Sequence, residues 1–178
     1  MIYEEKCIES VLIYEGRILN LRLDEVTAAG GTSYREVIEH NGAAAAVAIT
    51  ADNKALLVKQ YRYASGRAVL EIPAGKIDPD ETDPSATMAR ELKEETGYTA
   101  GTIEFLGAIN PSVGYSEEKI YLYLMKDLTP GNQDLDEDEA VEVISLPFDE
   151  LYDMAGRGEF EDAKTIAAVF MAGRHMGK

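Results

Sequence analysis

Residues 6–39, KCIESVLIYEGRILNLRLDEVTAAGGTSYREVIE, alternate polar and apolar side chains and break at Glu15-Gly16 and Gly30-Gly31. A period of two sends successive side chains to opposite faces of a strand. The pattern therefore predicts three strands in an antiparallel meander, near Lys6–Tyr14, Arg17–Thr27 and Ser33–Glu39. GAAAAVAIT, residues 42–50, is a continuous run of small apolar residues, as expected of a strand covered on both faces. KALLVKQYRY, residues 54–63, predicts the next strand, and RAVLEIPAG, residues 67–75, a short one stopped by Pro73 and Gly75.

The period then changes. Asp83 is placed to cap a helix with Pro84 at its first position, and Gly97 lies just past its end, which leaves a helix of about thirteen residues. Strands follow near Thr102–Ile109, Lys119–Lys126 and Val141–Ser145, then two helical stretches, FDELYDMAGRG and DAKTIAAVFMAGRHM. In the second, Ala163, Ile166, Ala167 and Phe170 share one face. The order of elements predicts α+β or a mixed-sheet sandwich.

One helix carries an unusual charge pattern. The stretch from Gly75 to Tyr98 holds seven acidic residues in 24. At about 100° per residue, Glu94 falls about 60° to one side of Glu91 and Glu95 about 40° to the other. Met88 and Leu92 lie next to this arc, so the acids border the buried stripe instead of facing away from it. Arg90 is the one cation at i,i+4 to an acid there. Oxygen ligands at i, i+3 and i+4 suit a divalent cation, whose charge would relieve their repulsion.

Composition narrows the field. The 178 residues suit one domain with a substantial core, 46 % hydrophobic and 28 % charged. A formal net charge of -16 argues against nucleic acid and anionic membranes as partners, since both are held by basic surfaces. A small anion remains compatible where a metal and a few arginines reverse the local sign. The single cysteine, Cys7, excludes an intrachain disulfide and reads as a half-buried strand residue. The N-terminal MIYEEKCIES lacks the apolar run of a signal peptide, so a cytoplasmic protein is expected. No His-Glu-x-x-His pair, Walker loop or Gly-x-Ser-x-Gly setting occurs. DLDEDEAVEVIS begins like a calcium loop with Asp134, Asp136 and Asp138, but Glu139 stands where Gly is needed and Ser145 where Glu is needed, so it reads as an acidic surface loop. Tyr61, Tyr63 and Tyr115 read as half-buried packing residues in preference to stacking platforms for a base.

Gly75 to Tyr98 resembles the Nudix box, the signature of the Nudix hydrolases. Gly75 and Glu81 keep its first interval, and Arg90-Glu91-Leu92, Glu94-Glu95 and Gly97-Tyr98 keep its end. Eight residues, one more than the pattern has, separate Glu81 from Arg90. The extra residue is expected in the loop before Asp83, where it leaves the helix phase intact but lets Thr82 compete for the place of Glu81. Flanking segments, YREVIEHNGAAAAVAI, LLVKQYRYASGRAVLEIPAGKID and NPSVGYSEE, resemble the ADP-ribose pyrophosphatase branch, with His40-Asn41-Gly42 where that branch has His-Pro-Gly.

The resemblance implies a Nudix-type α/β/α sandwich over residues 41–178, with the antiparallel strands of residues 1–40 as the dimerisation element of a homodimer. It implies Mg2+ or Mn2+ held by Glu91, Glu94, Glu95 and the Ala74 carbonyl, with Arg90 orienting the glutamates. Arg35, Arg62 and Glu71 would face substrate, the arginines against the pyrophosphate charge. Glu118, or its neighbour Glu117, matches the branch's loop glutamate as general base or further metal ligand. The implied reaction is hydrolysis of ADP-ribose to AMP and ribose 5-phosphate. Its alternatives are another nucleoside diphosphate sugar such as GDP-mannose, or a silent nucleotide-binding module.

Overall fold

The computed structural model describes residues 2–137 and 139–178. The chain divides into two compact units, residues 1–42 with 110–119, and residues 43–109 with 120–178.

In the first unit the meander forms as the alternation predicts. Strands β1 (Cys7–Glu15), β2 (Asn20–Ala28) and β3 (Gly31–Glu39) pair antiparallel in that order. The register Ala28↔Gly31 leaves a two-residue turn, where Gly31 takes φ +137°, a value open to glycine and costly for other residues. Residues 110–119 join β3, since Ile38 N donates to Tyr115 O at 2.7 Å and Glu117 N to Ile38 O at 2.9 Å. Every residue of β1 is exposed, Cys7 included. The half-buried reading of Cys7 is thereby corrected: alternation located the strand, but among the described residues of this unit nothing covers it. Tyr115 here, and Tyr61 and Tyr63 in the second unit, are likewise exposed and not packed away.

The second unit is built on β4 (Ala43–Ile49), β5 (Lys54–Arg62), β6 (Arg67–Glu71), β7 (Ala74–Lys76), α1 (Pro84–Thr96), β8 (Tyr98–Ile109), β9 (Ile120–Pro130), β10 (Glu142–Pro147), α2 (Phe148–Gly156) and α3 (Ala163–His175). The main sheet runs β10-β5-β4-β9-β8, with β6 added to β5 and β7 to β4. It is mixed: β4 and β9 are parallel and the other pairs antiparallel.

Strand β4 is buried throughout and explains the layering. Ala43, Ala45, Val47 and Ile49 pack with Phe148, Leu151, Ala168, Val169 and Ala172 of α2 and α3. Ala44, Ala46 and Ala48 pack with Met88 and Leu92 of α1. Small side chains on both faces let helices approach from both sides, giving an α+β sandwich with α1 on one face and α2 and α3 on the other.

Two details depart from the sequence reading. RAVLEIPAG is two strands, because Pro73 has no N–H to give a ladder. The inward face of α3 is Thr165, Ala168, Val169 and Ala172, while Ala163 and Phe170 are exposed. Close approach sets that face more than side-chain size does: a Cβ on Gly173 would lie 2.3 Å from the Tyr152 ring.

Candidate active site

Helix α1 starts and stops where its sequence dictates. Asp83 accepts from Ser85 N at 2.9 Å, Pro84 follows, and Gly97 closes the helix at φ +79° with its N–H on Lys93 O. Burial of Met88 and Leu92 under β4 fixes the helix rotation, which carries Glu91, Glu94 and Glu95 along the core's edge. Glu95 is only 5 % exposed, and its Oε2 accepts from Ala74 N at 3.0 Å. Glu91 lies against Gly75, where a Cβ would come within 1.8 Å of the carboxylate carbon. The box glycine is therefore a space requirement of Glu91.

Arg90 Nη1 donates to Glu91 Oε1 at 2.9 Å and Glu94 Oε2 at 2.8 Å, and its Nη2 lies 3.5 Å from Glu81 and 3.8 Å from Asp78. Glu81 accepts from Asp78 N and from Thr87 Oγ1. Thus Glu81, and not the exposed Thr82, reaches the helix in spite of the extra residue. Burial pushes the Glu91 carboxyl above its ordinary range against the pull of Arg90. Burial pushes Glu95 to about 8, with the Ala74 N–H opposing and Glu91 adding to the rise. These are carboxylates short of positive charge.

The sequence reading missed the other wall of this site. A cavity of about 220 Å³ is lined by Lys76, Asp78, Arg90, Glu91, Glu94, Asp134, Asp136 and Glu139. The acidic loop set aside as surface contributes three of these, and Glu139 adds to the negative field at Glu91 and Glu95. Asp138 lies outside the described residues. The signal was the acidic run itself, which fails as a calcium loop yet can act as the second half of a site made with another element.

A second cleft in this unit, of about 410 Å³, is lined by Arg62, Arg67, Glu71, Glu161 and Lys164 among others. Arg62 donates to Glu71 through Nε at 2.7 Å and Nη2 at 3.0 Å, and Lys164 also pairs with Glu71. Burial raises the Glu71 carboxyl, but Arg62 and Lys164 outweigh it and hold it below its ordinary range. The charge of Arg62 also reaches Glu95.

The remaining sequence candidates belong to the first unit. Arg35 pairs with Glu5 and donates to Ser33 Oγ and Tyr34 O. Glu117 accepts from Arg22 at 2.6 Å, and Glu118 N donates to Ser116 Oγ at 3.1 Å. The structure thus brings Arg90, Glu91, Glu94 and Glu95 together with the Ala74 strand, sets Arg62 with Glu71, and leaves Arg35, Glu117 and Glu118 in the other unit.

Among the described residues, no three acidic, histidine or cysteine side chains already close on a common point. The donor set is nonetheless all oxygen, partly buried and under-compensated, as a hard divalent cation requires.

Residues 40–169 match the family description NUDIX domain. The chain is 42 % identical over 171 residues to a methanol dehydrogenase activator of Bacillus methanolicus, covering 94 % of this chain and 92 % of that protein. It is 37 % identical over 169 residues to an ADP-ribose pyrophosphatase of Bacillus subtilis, covering 93 % and 91 %. A solved structure described as an ADP compounds hydrolase superposes with a TM-score of 0.84 over 99 % of this chain and 98 % of that one, at 21 % identity.

Proposed function

The chain belongs to the Nudix family, and from that premise we propose that it hydrolyses the pyrophosphate bond of ADP-ribose to AMP and ribose 5-phosphate. The observation that carries this reading is the pairing of the Glu91-Glu94-Glu95 helix with the Glu139 loop around one cavity. Glu91, Glu94, Glu95 and the Ala74 carbonyl would hold Mg2+ or Mn2+. Bound there, the ion supplies positive charge against the diphosphate and fixes its orientation.

The protein's own residues do the rest. Arg90 holds Glu91 and Glu94 in place. Arg62, already aligned by Glu71, presents a planar cation for the pyrophosphate oxygens. We assign the general base to Glu139: it takes a proton from water as the water oxygen bonds to phosphorus, and the anhydride oxygen leaves with the other phosphate. Glu118 and Glu117 are the competing base candidates from the other loop. The exposed β1 supports a homodimer formed through the N-terminal strands.

A panel of nucleoside diphosphate sugars with Mg2+ or Mn2+, products separated by charge, tests the reaction. ADP-ribose should be cleaved to AMP and ribose 5-phosphate. Preference for GDP-mannose overturns the substrate, and no turnover on any compound makes this a silent module. Glu139→Gln should lower kcat about 10²-fold or more. Normal turnover there with a collapse in Glu118→Gln moves the base to the other loop.

A further inference from the structure

The acidic loop, residues 131–141, is not merely near α1. It is bonded to the helix's last turn, where backbone carbonyls lack helical partners. Gln133 Nε2 donates to Glu95 O at 2.6 Å and reaches Val141 O at 3.4 Å. One amide thus spans from the helix to the far end of the loop. Asp134 N donates to Glu94 O at 3.0 Å. The two backbones touch: a Cβ on Gly97 would lie 2.9 Å from Asn132 C and Gly131 O, and one on Gly131 would lie 2.9 Å from Gly97 O. The carbonyls used belong to Glu94 and Glu95, whose side chains are on the site. Any movement of the loop is therefore movement relative to those carboxylates.

We propose that Gln133 is a positioning residue, which pins the acidic loop to the helix end and so holds Glu139 over the cavity shared with Glu91 and Glu94. Its side chain touches no reacting atom. It acts by closing the loop on itself, Glu95 O at one side and Val141 O at the other, with Glu139 carried between. The catalytic part of this inference rests on Glu139 being the base; the anchoring part does not.

Gln133→Ala and Gln133→Glu test it together. The second keeps size and shape but faces two carbonyl oxygens with an acceptor, so it should do at least as much harm as the first. Both should speed hydrogen exchange at the Asp134 and Glu139 amides, lower kcat about 10-fold and leave KM within about 2-fold, as small misplacements of a reacting group do. In a Glu139→Gln background, Gln133→Ala should cost under about 2-fold, because there is no base left to misplace. Unchanged exchange in both variants overturns the anchor, and a fully active Gln133→Glu whose loop exchange has quickened overturns its link to catalysis. Equal kcat losses with and without Glu139 overturn its link to catalysis. Faster loop exchange alongside a fully active Glu139→Gln removes the base assignment and leaves the anchor standing.

Discussion

At the scale of single residues, the site is shaped as much by what is absent as by what is charged. Gly75 has no side chain, and the Glu91 carboxylate fills that space. In Gly75→Ala the atoms struck are the end of a flexible side chain, so Glu91 yields and the backbone stays. Its melting temperature should change little while Mg2+ binding weakens about 10-fold or more, as when a ligand's support is lost; calorimetric titration reads this, and unaltered affinity would free Glu91 from the ligand set. Glu71 is the opposite case, a buried carboxylate matched by two cations. Glu71→Ala should cost about 2–3 kcal/mol in urea unfolding. That is less than a fully buried pair loses, because Arg62 is partly exposed and Lys164 keeps Asp162. The folded Glu71 carboxyl gives up its proton more readily than the ordinary 4.5. Its contribution is therefore complete above that pH and fades as pH falls through the lower folded value. The stability gap between wild type and Glu71→Ala should narrow below pH 4.5, and a gap constant with pH would mean Glu71 acts through packing alone.

Elements show why part of this molecule can be read from sequence and part cannot. Gly97 has two duties: it ends α1 in a left-handed backbone, and it lets residues 131–133 approach. Gly97→Ala should cost about 1–2 kcal/mol from the backbone alone and should lower turnover as well, since the loop must move. Gly156→Ala, with open space around it and no positive φ, is the control and should be neutral or slightly stabilising by chemical denaturation. Only the first duty is written in the local sequence. The Asp83 cap, Pro84, the Met88-Leu92 stripe and Gly97 all lie within one helix, and each falls where local chemistry puts it. The alternation of β1 to β3 was legible for the same reason. What escaped depends on contacts between distant segments. That the chain resumes as a strand after Pro73 follows from β7 pairing with β4 while β6 pairs with β5. The buried face of α3 follows from where small residues admit Tyr152. Asp134, Asp136 and Asp138 read alone start a calcium loop that Glu139 spoils, while the partners of Asp134, Asp136 and Glu139 lie some forty residues earlier on α1.

Across the whole molecule, charge and exposure pull against each other. The chain carries -16, so two copies repel at long range. Yet Ile8, Val11, Leu12, Ile13 and Tyr14 of β1, with Ile18 and Tyr34 nearby in sequence or sheet, stand roughly half exposed or more. Apolar side chains gathered on a three-stranded sheet are costly to leave in water, and a second copy can cover them. Which effect wins depends on salt, because screening shortens the repulsion to about 10 Å at 0.1 M and leaves the apolar gain nearly untouched. Sedimentation of the wild type should therefore show a dimer that tightens between low and moderate ionic strength. In Leu12→Glu/Ile13→Glu both new charges enter the exposed apolar strand, and both positions are already exposed, so the variant should stay folded and sediment as a monomer. Its Mg2+ affinity should match wild type, since Glu91, Glu94 and Glu95 belong to the other unit. Turnover of ADP-ribose should fall if the partner copy lends groups to substrate, and full activity in the monomer would assign every substrate contact to a single chain. A wild type that sediments as a monomer at all salts would leave β1 without a second copy to cover it.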